Sequence, residues 1–182
     1  MWYPPVVTVA PTSEPVTLAT AKTWGRLDGT DDDVRITTAL TAARAHVESL
    51  TGVLLAQQTV AIKCDAFCDF EAVPLAPLRS ITSITYTDSA GNTQTLSTSV
   101  YEVRAEGFVA AIVLKYGQAW PAIQPGSRIT VTAACGYADA DLPPASLAAV
   151  QLLTVAMVDT GGFDQPTLDC VAALLANQRR FM

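Results

Sequence analysis

The sequence predicts an α+β fold: a helical bundle built from N- and C-terminal helices, with a central antiparallel β sub-domain. Three observations predict it. Residues 32–51 carry Ile36, Leu40, Ala43, Val47 and Leu50 at spacings of 4, 3, 4 and 3, a stripe on one helical face. Residues 53–136 change to short β-branched and aromatic runs broken by turn residues. Helical periodicity returns after Pro144. At 182 residues the chain is read as one domain, 1–182, with enough length for a real core.

Residues 1–16, with Pro4, Pro5, Pro11 and Pro15 among valines, read as an extended arm lying on something else. Helices occupy 17–52. Thr17 is the expected N-cap of a short helix reaching about Leu27, with Leu18 and Ala21 inward and Trp24 packed between helices. Gly29 breaks the chain. Asp31, Asp32 and Asp33 then open the long helix, where free N–H groups and the helix dipole favour carboxylates. Capping is preferred there to a metal or catalytic cluster. Arg44 and Glu48 form an i, i+4 pair on the surface side. Gly52 can take the positive φ that ends a helix.

The β sub-domain spans 53–136. Gln58–Cys64 reads as a strand with Val60 and Ile62 on one face. In PLAPLRSITSITYTDSAGNTQTL, residues 74–96, Pro74 and Pro77 exclude a helix. Residues 81–87 form a strand, Asp88, Gly91 and Asn92 supply a turn, and residues 93–96 return. Residues 100–104, 108–114 and 129–135 complete a small antiparallel sheet or barrel. Residues 116–126 form a loop whose Trp120-Pro121 packs over a sheet edge. Helices return over 142–180. Pro144 suits a first turn, with Leu147, Val150, Leu153 and Met157 following. Gly161-Gly162 is a joint, and a last helix runs from near Pro166 to about Arg179 with Leu168, Val171, Leu174 and Leu175 inward.

Charged residues are 15% of the chain, against about 25% in typical domains. Either partners cover part of the surface, or small residues dilute its charge. The net charge of −6 includes no basic footprint, which argues against tight binding of duplex DNA. No run approaches the ~18 apolar residues of a membrane span, and the N-terminal MWYPPVVTVAP lacks the basic start of a signal peptide, so cytosolic expression is expected. Cys64, Cys68, Cys135 and Cys170 read as free, mostly buried thiols rather than a zinc site or disulfide scaffold. Asp139 and Asp141 read as a solvated loop rather than a cation site. Gly161-Gly162 lacks the lysine of a phosphate loop.

Several blocks carry a resemblance. They are PVTLATAKTWGRLDGTDDD at 15–33, ARAHVESLTGVLLAQQTV at 43–60, the 74–96 segment, and YGQAWPAIQPGSRITVTAACGYADADLPPASLAAVQLL at 116–153. In order and spacing the chain resembles the head–tail connector (adaptor) family of tailed bacteriophages, also found in prophages and phage-derived particles. Two departures stand out. Gly25 stands where leucine is more usual, and the helix ending at Met157-Val158-Asp159 lacks the usual aromatic and acidic run.

The resemblance implies a structural subunit without catalysis, cofactor or metal. Such a subunit forms a ring of about twelve copies in the neck of a virion assembled in the bacterial host cytoplasm. It joins the portal to the next neck, stopper or tail protein, while double-stranded DNA passes through without specific binding. The expected portal or neck interface is Arg179, Arg180, Phe181 and Met182; the expected inter-subunit contacts are Asp88, Gly91, Asn92 and Trp120. The alternatives are a small hydrolase or metal-dependent enzyme using His46 with nearby acidic residues, and a monomeric β-type binding module.

Overall fold

Periodicity sorts this chain into a β part and a helical part, and the backbone passes between them. A computed structural model describes residues 1–138 and 141–179. It divides into two compact units: Met1–Pro11 with Gln57–Gly136, and Thr12–Ala56 with the chain from Tyr137 onward.

The first unit holds seven strands: β1 (Val6–Val9), β2 (Gln58–Cys64), β3 (Leu78–Thr87), β4 (Thr93–Thr95), β5 (Tyr101–Glu106), β6 (Val109–Leu114) and β7 (Ile129–Cys135). Five of them form one antiparallel sheet in the order β1-β2-β7-β3-β4, while β5 and β6 form a separate two-stranded sheet. The expected single sheet or barrel is therefore two sheets. Register puts one face together: Val60 faces Ala133, and Ile62 faces Val131, which also faces Ile84. All five are buried, as the two-residue period of a half-covered sheet requires.

The extended N-terminal stretch lies on β2 as an edge strand. Its residues Val6–Val9 pair antiparallel with β2 of the same chain, and Tyr3 N–H donates to the Lys63 carbonyl at 2.9 Å. The flanking prolines suit this, since an edge strand leaves one side of its backbone unpaired. A short 3-10 helix, Phe67–Glu71, has no counterpart in the sequence reading. It buries Phe67 and Phe70.

The second unit is built from α1 (Leu18–Gly25), α2 (Asp33–Thr51), α3 (Pro144–Thr160) and α4 (Gln165–Leu174). Thr17 caps α1 as expected, its hydroxyl accepting from Thr20 N–H at 3.2 Å. The helix stops at Gly25 because Arg26 takes a left-handed conformation, φ 52°. Ile36, Leu40, Ala43 and Val47 enter a core shared with Ala149, Val150 and Leu153 of α3 and with Val171 of α4. Burying each large side chain contributes roughly 1.5–3 kcal/mol. Leu50, the last residue of the expected stripe, stays 37% exposed. Asp32 occupies the N-cap position of α2 without a side-chain cap bond; Asp33 in the first turn pairs instead with Lys22. Gly161, φ 77°, ends α3 and makes the joint to α4. The last helix is shorter than expected. It ends at Leu174, where turns over 175–178 replace it, and Leu174 is half-exposed rather than inward.

Candidate assembly surfaces

The turn between β3 and β4 closes on one aspartate. Asp88 Oδ1 accepts from the N–H groups of Ala90 and Asn92, both at 2.9 Å, and Oδ2 accepts from Gln94 Nε2 at 2.9 Å. Gly91 takes φ 85°, which a side chain would resist, and its N–H donates to the Asp88 carbonyl at 3.0 Å. The Gln94 bond, followed by the Asn92 and Ala90 N–H groups, holds the Asp88 carboxyl below the usual aspartate range. The carboxylate is thus occupied internally, while Ala90, Gly91 and Asn92 project into solvent.

Trp120 is likewise engaged within its own unit. Its ring stacks on Phe67, 4.9 Å between centroids and 5° between planes, and meets Phe70 edge-on at 5.5 Å. Trp2 stacks on Phe70 from another side, and Tyr86 meets Phe67 edge-on. Such ring pairs contribute about 0.5–1.5 kcal/mol each beyond area burial. The loop carrying Trp120 then bridges Ile123 to Asp88, and Gln124 N–H donates to the Thr87 carbonyl at 3.0 Å. The structure therefore brings the Asp88 turn and the Trp120 loop to one end of the β unit. Sequence separation hid that pairing.

The tail residue Arg179 is half-buried, and its Nε finds no hydrogen-bond partner. It lies beyond the end of α4 and so does not cap that helix. Arg180, Phe181 and Met182 lie outside the described residues, as does Asp139.

His46 meets an aromatic ring. Its centroid is 5.0 Å from that of Phe163, and its Nε2 has no hydrogen-bond partner. The carboxylates that an enzyme built on His46 requires do not meet it among the described residues. No group of three His, Cys, Asp or Glu residues among them is placed to hold a metal. Cys64 and Cys135 are buried, which pushes each thiol up to about 12, whereas Cys68 and Cys170 are exposed. The expectation of mostly buried thiols holds for only two of the four.

Arg44 and Glu48 are the clearest misreading. Arg44 is only 9% exposed. Its Nε donates to Glu14 Oε2 at 2.7 Å and its Nη1 to Glu48 Oε2 at 2.9 Å. Glu14, thirty positions earlier, covers the pair, and no local periodicity announces it. Glu48 Oε1 also accepts from the N–H groups of Leu55 and Ala56, at 2.8 and 3.4 Å. Burial raises the Glu48 pKa above the usual glutamate range and outweighs the Arg44 charge and the two backbone donors. Burial opposes the Arg44 charge too, but the Glu14 hydrogen bond and the two carboxylates keep its pKa above the ordinary value.

Sequence reasoning missed a groove in the helical unit. Trp24, expected between helices, is 51% exposed and lines it with Leu152, Val155 and Ala156. Asp159 and Asp164 stand on its rim, and its volume is about 410 Å³. The available signal was a tryptophan in the last turn of a helix only eight residues long.

Solved structures match this fold end to end. A chain from the neck of an empty GTA particle computed with C6 symmetry has a TM-score of 0.81 at 19% identity, covering 99% of this chain and 97% of that one. A chain from the virion of a native gene transfer agent (GTA) particle has a TM-score of 0.77 at 21% identity, covering 98% and 96%. A third, from the neck of a native GTA particle computed with C12 symmetry, has a TM-score of 0.69 at 20% identity, covering 96% of each chain. No protein-family model and no curated protein matches the sequence. At these identities the likeness establishes a shared fold: this α+β chain has the architecture of chains in gene transfer agent necks and virions.

Proposed function

We propose that this chain is a structural head–tail connector (adaptor) subunit. It assembles as a ring between the portal and the next neck or tail protein of a phage-like particle, and it lines the DNA passage. The observation that carries this reading is the fold likeness over nearly the whole of both chains, to a neck computed with C6 symmetry and another computed with C12 symmetry. Those symmetries favour a cyclic assembly of this chain, with twelve copies as the expected number. The acidic balance of −6 suits a conduit that lets DNA slide. The ring resides in the virion neck and assembles in the host cytoplasm.

In this reading Asp88, Gly91, Asn92 and Trp120 mark the end of the β unit that meets a neighbouring copy. Arg179, Arg180, Phe181 and Met182 form the docking segment toward the portal or neck. The test is to mix the purified chain with a portal protein of the same particle and measure the mass of the product. A ring seated on the portal is the expected result. A chain that never associates with portal, even at high concentration, would falsify the connector reading. Loss of the association on truncation after Asn177 supports the docking role of the tail.

A further inference from the structure

We propose that the exposed turn at Lys115-Tyr116 of one copy of this chain seats in the groove beside Trp24 of the next copy. The proposal rests on the ring reading above and names one contact that joins neighbouring subunits.

The turn is built to present one side chain. Lys115 follows β6, and its N–H donates to the Val100 carbonyl at 3.0 Å. Gln118 N–H donates to the Lys115 carbonyl at 3.1 Å, closing a tight turn in which Gly117 takes φ 75°. Tyr116 sits in that turn, wholly exposed, and is the most exposed aromatic residue among those described. An aromatic ring held in water on a hydrogen-bonded turn loses little conformational freedom on docking, and tyrosine is among the commonest interface anchors. Lys115 is exposed beside it. Its Nζ donates to the Thr98 carbonyl at 2.8 Å, and it has no ion-pair partner among the described residues. The same loop carries Trp120, one of the residues proposed above to meet a neighbouring copy.

The groove offers the matching chemistry. Three helices line it: Trp24 comes from α1, Val155 and Ala156 from α3, and Thr167 from α4. Gly25 leaves the floor open, since a Cβ there would already stand 3.8 Å from Val155 Cγ2. The volume of about 410 Å³ takes a phenol ring with room to spare. Trp24, half-exposed, can stack on that ring. Asp159 and Asp164 on the rim are exposed, and neither has an ion-pair partner among the described residues. They complement the Lys115 ammonium, and either can accept from the Tyr116 hydroxyl. Turn and groove are different surfaces of one chain, so the contact is head-to-tail, the kind that closes a ring. One docked tyrosine buries about 150–250 Å², against roughly 800 Å² per partner in a stable interface. It is therefore one anchor within a larger contact.

The experiment makes Tyr116→p-benzoylphenylalanine in the full chain and irradiates it at high concentration, alone and with a portal protein. An isotope-labelled acceptor copy separates contacts between copies from contacts within one, and mass spectrometry locates the crosslink. Crosslinks from position 116 into residues 152–167 of the other copy are expected. Trp24→Ala in the acceptor, or Ala156→Leu to fill its floor, is expected to lower the yield about tenfold. Lys115→Glu in the donor is expected to lower it too, and Asp159→Lys with Asp164→Lys in the acceptor to restore it. Circular dichroism checks that the variants fold. Crosslinks confined to other surfaces of the chain or to portal, a yield indifferent to the groove substitutions, or no crosslink between copies overturns the proposal. If rings form on portal while position 116 crosslinks elsewhere, the groove proposal fails and the connector reading stands. If crosslinks enter the groove while the chain never associates with portal, the contact stands and the connector reading fails.

Discussion

Glu48 does more for this fold than its place on the second helix suggests. It meets the buried Arg44 and accepts two backbone N–H groups where the chain leaves α2. Replacing it by alanine strands both donors and leaves Arg44 with Glu14 alone. We expect Glu48→Ala to cost about 2–4 kcal/mol in urea unfolding. Glu48→Gln keeps an acceptor and removes a charge that burial disfavours, so its loss is expected to be less than half as large. Equal losses for the two variants would show that the charge, not the acceptor, matters. Asp88 is the opposite case, an exposed carboxylate stabilised as an anion by its turn. Because its pKa is depressed, its contribution is present above the usual aspartate value of about 3.9 and is lost as pH falls through the folded value. Acidification is therefore expected to lower the exchange protection of Ala90 and Asn92, taken against the intrinsic amide rate at each pH, as Asp88→Ala does at neutral pH. Exchange at those amides that ignores both changes would contradict this account.

Among the elements, α2 separates what periodicity predicts from what packing realises. Leu40 is buried against α3, whereas Leu50 lies in the last turn, half-exposed. Leu40→Ala is expected to cost about 2–5 kcal/mol, and Leu50→Ala within about 1 kcal/mol; chemical denaturation of the two variants compares them directly. Most of the element pattern was legible. The stripe of α2, the Thr17 cap, the strand at 58–64 and the β3–β4 turn all rest on local chemistry. The 3-10 helix Phe67–Glu71 was not, because five residues carry too short a period to read. Nor was β1, whose valines became a strand only when β2 offered a register. The end of α4 came early for a related reason: helix formers continue to Ala176, but Leu175 is the last fully buried side chain among the described residues.

For the whole molecule, low charge and a net balance of −6 bear on the proposed conduit. Without a basic stripe there is no release of DNA counterions to drive binding. The chain, free or in a ring, is expected not to retain duplex DNA in a mobility-shift assay at about 0.15 M salt; retention that falls with added salt would contradict the conduit reading. The candidate site was legible only in pieces. Asp88, Gly91, Asn92 and Trp120 were visible as turn and aromatic signals, but their meeting at one end of the β unit depends on residue 123 pairing with residue 88. The Trp24 groove was invisible, because its floor joins side chains from positions near 24 and near 155.

By itself the sequence determined the α+β class, the helical and β spans, the main turn and the order of elements that resembles the connector family. These depend on period, capping and turn propensity, which act over a few residues. Tertiary structure alone decided that the strands divide into two sheets and that the N-terminal arm pairs with β2. It alone also buried Arg44 beneath Glu14 and left Trp24 open to solvent. Each of those outcomes turns on which distant surface covers which, and burial is settled only when both surfaces are in place.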